Sequence, residues 1–466
     1  MVLCICAAFA AAGCSSLSVS VAGDFQVLTS ADAAVAVANP YRAGSVVEVD
    51  GRSQIYYWYL YCDDHGTAYV RWEGKDDRLG ADFYPQTIWR LQAFQKEGPA
   101  SHVFSAKWLG YWKEVADASG AAKERWELRD ASADMFEGEK PLLVPGSMRC
   151  PQLVTFLDLF GKRAISTYRC DSDLWNDTEL RVTKEKMFNV VASDLGAVTR
   201  DSFEFTKVVP FPRDPGHYLV LGEYTYMRWW DVPAMIAHQP SRRFAVEVKG
   251  DQAGPALNIT PSLDYCDIGT GPEHWCDTNG RGWAVAAFKP VYVPGPYLTC
   301  MISLWDGARW RTISYNERNL VVPPEQRGRK TFGMSPMVVL LSDHILLFEG
   351  RYCFVIDIET DANGKPVGLV WTRAMDIGKD VAVWDAVNVG DGAMAVVRDE
   401  NANSWCMYFT PGGFSPAQPL EMKAGRSAGS FSIESSGDGS CHLVWRDRSD
   451  GKLYYQSLRR DGVGGQ

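Results

Sequence analysis

The closing segment constrains the fold more than any other part of the chain. Residues 430–458 read SFSIESSGDGSCHLVWRDRSDGKLYYQSL. Phe431 and Ile433 alternate with polar residues, as on a half-buried strand. A Gly437-Asp438-Gly439 turn follows, then the strand 442–445, then an Asp450-Gly451 turn and a last strand at 453–455. Strand-turn-strand units that recur every roughly 40–60 residues are the signature of a radially repeated all-β ring, a β-propeller.

Similar stretches run through the rest of the chain. The first spans 41–74, with a strand at 45–49, an Asp50-Gly51 turn and strands at 55–61 and 68–72. Others fall near 84–129, 148–191, 208–248, 257–314, 337–371 and 381–408. Only 116–139 has a helix-forming composition, and its Asp and Gly content argues against a long helix. The expectation is one large all-β domain, a propeller of roughly six to eight blades, whose last unit packs beside its first. A five-bladed ring followed by a sandwich from about residue 330 is the competing layout.

Composition limits the functions open to such a fold. The chain has 466 residues, 46% hydrophobic and 22% charged, which is enough to bury a sizeable core. Its formal net charge is −10 and it shows no basic stripe, so nucleic acid and anionic membrane surfaces are not expected partners. Aromatic residues reach 12%, with 17 Trp and 20 Tyr, which suits strands and also gives flat platforms for sugar rings.

The first 22 residues stand apart. MVLCICAAFAAAGC is a short apolar run ending in small residues, too short for a stable membrane span and similar to a secretory signal. Ala11-Ala12-Gly13-Cys14 resembles a bacterial lipobox, in which Cys14 would be lipidated; a cut after Ala22 is the competing reading. Residues 1–22 are therefore expected to be a signal and 23–466 the propeller. The protein is expected to be secreted or an outer-surface lipoprotein, a monomer that meets a membrane only through that anchor. Of the nine remaining cysteines, Cys266 and Cys276 flank a loop that a disulfide would close, and Cys150 and Cys170 flank one strand-turn-strand unit. Buried free thiols are the default for the others. No Cys/His spacing suits zinc, and no nucleotide-binding fingerprint is present, so no metal or cofactor is expected.

Residues 39–51, NPYRAGSVVEVDG, resemble the opening blade of the sialidase/BNR-like propeller superfamily: an aromatic-Arg pair, a short strand, then an Asp-Gly turn. Ala43-Gly44 stands where that family has Ile-Pro, and its Asp boxes are absent. The resemblance implies that Arg42 clamps a substrate carboxylate and that Asp64, in Asp63-Asp64-His65-Gly66, is an acid/base group. Two adjacent carboxylates raise each other's pKa, which suits a general acid. It further suggests a Tyr226 nucleophile assisted by Glu223, an exception to the two-carboxylate scheme of glycosidases. Alternation places residues 224, 226 and 228 on one strand face, so Arg228 joins this set, with Trp229 and Trp230 as a sugar floor and His217 as a further binding group. The expected activity is exo-acting hydrolysis of acidic glycans. A propeller polysaccharide lyase using His217, Tyr218, His238 and Arg242 on uronates, and a non-catalytic glycan- or protein-binding propeller, are the alternatives.

Overall fold

The computed structural model describes residues 17–29, 37–49, 54–62, 66–75, 87–94, 101–103, 112–116, 122–126, 142–147, 150–159, 162–170, 182–191, 195, 204–212, 214, 216–225, 241–259, 275–288, 300–315, 336–378, 380–420 and 428–461. Among them there is no α-helix; the order is strand after strand. Residues 122–126, inside the stretch with helix-forming composition, form a strand that pairs Trp126 with Trp112.

Among the described residues, seven sheets of four or five strands, antiparallel but for one added strand, follow one another along the chain, with a two-stranded sheet, Trp112–Ala116 and Ala122–Trp126, between the first and the second. Sheet I holds Gln54–Cys62, Ala68–Lys75, Thr87–Phe94 and Ser101–Val103. Sheet II holds Leu142–Ser147, Cys150–Leu159, Lys162–Cys170 and Val182–Val190. Sheet III holds Glu204–Pro210, His217–Thr225 and Ser241–Lys249, edged by Gln252–Ala253 and Leu257–Asn258. Sheet IV holds Cys276–Thr278, Ala284–Phe288, Cys300–Trp305 and Trp310–Tyr315. Sheet V holds Met337–Leu340, His344–Glu349, Tyr352–Thr360 and Pro366–Asp376. Sheet VI holds Val381–Asn388, Ala393–Asp399 and Ser404–Thr410, edged by Gly413–Phe414 and Gln418–Pro419. Sheet VII holds Ala428–Ser435, Cys441–Asp447 and Leu453–Arg460.

Five consecutive sheets, III to VII, pack face to face as propeller blades. Their central strands are apolar on both faces, as a strand covered on both sides must be. Val285 and Ile302 of sheet IV meet Leu347 and Phe354 of sheet V. Phe348 and Val355 of sheet V meet Ala395 and Phe409 of sheet VI. Val396 and Tyr408 of sheet VI meet Leu443 and Trp445 of sheet VII, while Leu219 and Ala245 of sheet III meet Ala286 and Phe288 of sheet IV. Burial at about 25 cal/mol per Å² of apolar surface makes these four seams the main favourable term in the fold. Sheets V to VII thus continue the same order, and no separate sandwich begins near residue 330.

Two segments depart from the sequence reading. Tyr41–Ala43 and Val47–Val49 do not open the first sheet; they pair with Leu453–Arg460 and complete the last one, Tyr41 lying opposite Arg460 and Val47 opposite Tyr455. The first repeat therefore splits between Val49 and Gln54. The physical reason is the edge: a last sheet of three strands would expose unpaired backbone groups, and a strand from the far end of the chain covers them. The second segment is Ser18–Thr29, which adds to the outer strand of sheet V in parallel, Ser18 opposite Gly368 and Gln26 opposite Arg373. It runs across the signal boundary expected at residue 22.

Candidate functional site

The first strand of each sheet lies innermost, because these strands touch one another from sheet to sheet. Polar side chains on them therefore gather at the axis. Lys207 of sheet III places Nζ 3.4 Å from Oε1 of Glu434 on sheet VII, both largely covered. Asp277 of sheet IV is held by three donors. The Thr278 N–H donates to its Oδ1 at 2.8 Å; the Leu340 N–H of sheet V and the Asn388 side-chain amide of sheet VI donate to its Oδ2 at 2.7 and 3.1 Å. The same amide donates to the Leu340 carbonyl at 2.7 Å, and the Gly390 N–H fixes the Asn388 carbonyl at 2.8 Å. Five of the innermost strands thus meet in one polar cluster.

Burial controls the chemistry of this cluster. It pushes Asp277 up to about 6, against the backbone bonds, Asn388 and the Lys207 charge, all of which favour the ionised form. Burial also raises Glu434, with Lys207 opposing. The arrangement offers a carboxyl that changes state near pH 6, a second carboxylate beside an ammonium, and an oriented amide. That set can bind sugar hydroxyls and move protons.

Asp385 of sheet VI repeats part of this pattern. Its Oδ1 accepts from the Ala386 N–H at 2.9 Å and its Oδ2 from the Ile433 N–H of sheet VII at 3.0 Å. An inner-strand Asp clamping the next inner strand is thus used twice, from sheet IV to V and from VI to VII.

Those of the expected site residues that are described, Arg42, His217 and Glu223, fall elsewhere. Arg42 lies on the outermost strand of sheet VII, three strand spacings or about 14 Å from the innermost one. Its side chain is 80% exposed and pairs with Asp461 at 2.7 Å. This places it on the rim rather than at the channel, because the strand that carries it closes the ring instead of opening it. Glu223 pairs with Arg243, whose guanidinium lies 4.6 Å over Trp275. His217 is buried between two carboxylates, Nδ1 at 2.9 Å from Asp214 and Nε2 at 2.8 Å from Glu247, and stacks on Phe211. Six residues along one strand, about 20 Å, separate it from Glu223, so the two do not share a site. Asp64, Tyr226, Arg228, Trp229, Trp230, His238 and Cys14 lie outside the described residues. Cys276 is a buried free thiol, so the expected Cys266–Cys276 bridge is not formed. Among the described residues no group of three or more His, Cys, Asp or Glu side chains is placed to hold a metal ion.

Lys207, Asp277, Asn388 and Glu434 escaped the sequence reading. Their signal is a polar residue interrupting an apolar inner strand, as in Cys276-Asp277-Thr278 and Ile433-Glu434-Ser435. It becomes readable only once it is known which strand of each unit is innermost.

No family model matches the chain, and no curated protein matches it. Among solved structures, an α-L-arabinofuranosidase of Fusarium graminearum is similar over 90% of this chain and 98% of its own, at 8% identity and a TM-score of 0.39. An intramolecular trans-sialidase of Ruminococcus gnavus covers 88% of this chain and 96% of its own, at 10% identity and a TM-score of 0.33. An acylaminoacyl peptidase of Pyrococcus horikoshii covers 83% of this chain and 49% of its own, at 12% identity and a TM-score of 0.40. At these identities and scores no residue role is carried over from any of them.

Proposed function

We propose that the protein is an exported glycan-active propeller, an exo-acting glycoside hydrolase of acidic glycans working from the axial channel. The observation that carries this reading is the cluster of Asp277, Glu434, Lys207 and Asn388 on four converging strands. In this scheme protonated Asp277 delivers its proton to the glycosidic oxygen as the anomeric C–O bond breaks. Water adds to the anomeric carbon and passes its proton to Glu434, whose ionised form Lys207 favours against burial. Lys207 and Asn388 also hold the acidic group and hydroxyls of the sugar.

The ring that frames the channel is proposed to have seven blades. Innermost strands touch from sheet I through sheet VII, and Ala428–Ser435 of sheet VII touches Gln54–Cys62 of sheet I. Export starts the mature chain at or after Cys14. The pairing of Ser18–Val21 with Gly368–Trp371 supports a start at Cys14 over a cut after Ala22, which would remove that half of the strand.

The test is sugar release from a panel of sialylated and uronate oligosaccharides, followed by chromatography of the products. Asp277→Asn and Glu434→Gln are each expected to lower turnover at least about a hundredfold. No released sugar from any member of the panel would sink the hydrolase. The second reading is a glycan-binding propeller without turnover, and the Asp385 pattern favours it, because it makes Asp277 a strand clamp. Under that reading Asp277→Asn lowers thermal stability and leaves glycan affinity unchanged.

A further inference from the structure

Sheets VI and VII repeat a short pattern that the axial cluster does not use. Their second strands end Val396-Val397-Arg398-Asp399 and Val444-Trp445-Arg446-Asp447. In each the Asp organises the following turn. Asp399 accepts from the Asn403 backbone at 2.8 Å and side chain at 2.7 Å; Asp447 accepts from the Ser449 N–H at 2.7 Å. In each the Arg lies over a Trp of an innermost strand, Arg398 over Trp384 at 4.5 Å and Arg446 over Trp58 at 5.7 Å. Both arginines sit at the end of their sheet where the innermost strand begins, Arg398 opposite Ala382 and Arg446 opposite Ser430. Asn388 and Glu434, of the axial cluster, lie toward the other end of those innermost strands.

Arg398 is unusual among the stacked arginines. Arg243 has Glu223 as its counter-ion. Arg398 is only 6% exposed, and its Nη1 is buried with no hydrogen-bond partner. The adjacent carboxylate, Asp399, is engaged by Asn403. The other charge that acts on it is a second cation, the exposed Arg448, which adds to burial in pushing the Arg398 pKa down, while Asp399 opposes. Trp384 is the extra residue of a β-bulge between Val383 and Asp385, a device that re-aims a side chain out of the ladder. A covered guanidinium beside a like charge destabilises the fold unless something answers it. A guanidinium fork, a second Arg and an indole floor are the groups that recognise an oxyanion carried on a sugar ring.

We propose that Arg398 and Arg448, floored by Trp384, bind the carboxylate or sulfate group of an acidic saccharide at a site separate from the axial cluster. Binding here does not require the axial cluster to turn anything over, so Asp277→Asn is expected to leave it intact.

The experiment uses the full chain at fixed ionic strength. Melting is followed with inorganic sulfate against chloride, and calorimetry is run with tetragalacturonate, a heparin tetrasaccharide and a neutral galactan tetrasaccharide. The melting temperature is expected to rise with sulfate over chloride more in the parent than in Arg448→Ser, because the general exclusion of sulfate acts on both alike and binding at the site only on the parent. One or both acidic oligosaccharides should bind and the neutral one should not; which of them binds separates carboxylate from sulfate ester. Arg448→Ser is expected to keep the melting temperature and weaken binding at least tenfold. Arg398→Met should abolish binding without lowering the melting temperature. The proposal is overturned if neither acidic oligosaccharide binds, if sulfate alone acts, or if Arg448→Ser binds like the parent. It is equally overturned if Arg398→Met melts lower yet keeps its affinity; should that variant fail to fold, Arg448→Ser decides.

Discussion

Asp277 and Lys207 show how one position in the ring sets the behaviour of a side chain. The folded-state pKa of Asp277 lies above its ordinary value because burial outweighs the donors around it. The sign follows from linkage: a carboxyl that binds its proton more tightly when folded stabilises the fold at low pH, and that contribution is lost as pH rises through about 6. Lys207 opposes the shift, so Lys207→Met is expected to raise the Asp277 pKa further. Carboxyl carbon NMR titration of the labelled protein checks this, and an unchanged or lower midpoint would contradict the cluster. A second residue-scale prediction concerns Ala402, which has φ of 67° in the turn that joins Asp399 to Asn403. That conformation crowds a Cβ and leaves glycine untroubled. Ala402→Gly is expected to stabilise the fold by about 0.5–1 kcal/mol in urea denaturation.

Arg42 and Glu434 mark the limit of what the sequence disclosed at this scale. Arg42 sits in a stretch that looks like the opening of a blade and lies on the rim; Glu434 looks like an ordinary strand residue and lies at the axis. Local pattern distinguishes the faces of a strand, because side chains alternate. It does not say whether the strand is innermost or outermost, since that depends on pairing between distant segments. Arg42→Lys is therefore expected to change stability by less than about 0.5 kcal/mol, as exposed pairs do, and to leave saccharide turnover unchanged. A tenfold loss of turnover would return Arg42 to the site.

At the scale of elements, the strands were the most legible part of the chain. The last unit shows the alternation, the turn glycines and the Asp450-Gly451 hairpin where the structure has them, with Gly451 at φ of 71°. The strand that completes sheet VII was not legible, because nothing near Leu453–Arg460 indicates that its partner is Tyr41–Ala43. Tyr41 anchors that partner. It is buried among Tyr408, Leu443 and Leu458, and its hydroxyl donates to the Gly439 carbonyl at 3.1 Å. Around it, Asp391 accepts from the Tyr408 hydroxyl and pairs with Arg460, tying sheet VI to the same edge. Tyr41→Ala is expected to cost about 3 kcal/mol or more, as large core aromatics do when truncated. Tyr41→Phe, which loses one hydrogen bond, is expected to cost about 1 kcal/mol. Urea denaturation of both variants separates packing from the bond.

For the whole molecule, the side-by-side order of sheets predicts a compact particle. A globular chain of this length has a radius of gyration of about 23 Å. X-ray scattering of the purified protein is expected to give that value, and a clearly larger one would indicate units strung out rather than a ring. Charge enters at this scale as well. A net charge of −10 repels acidic polymers on average, so acidic saccharides would have to be held by local groups of the opposite sign, and their capture is expected to proceed faster as salt screens the overall repulsion.

The closing strand also has a consequence in time. Arg42 and its partner Asp461 are 419 residues apart. At roughly 5–20 residues per second, synthesis separates them by on the order of 20–80 s. Throughout that interval Tyr41–Ala43 has no native partner and the growing arc of blades presents a raw edge. The growing chain must therefore be kept from pairing with its neighbours until Leu453–Arg460 is made. Any product that stops before that strand cannot shut, so its pairing acts as a checkpoint that a truncated chain does not pass.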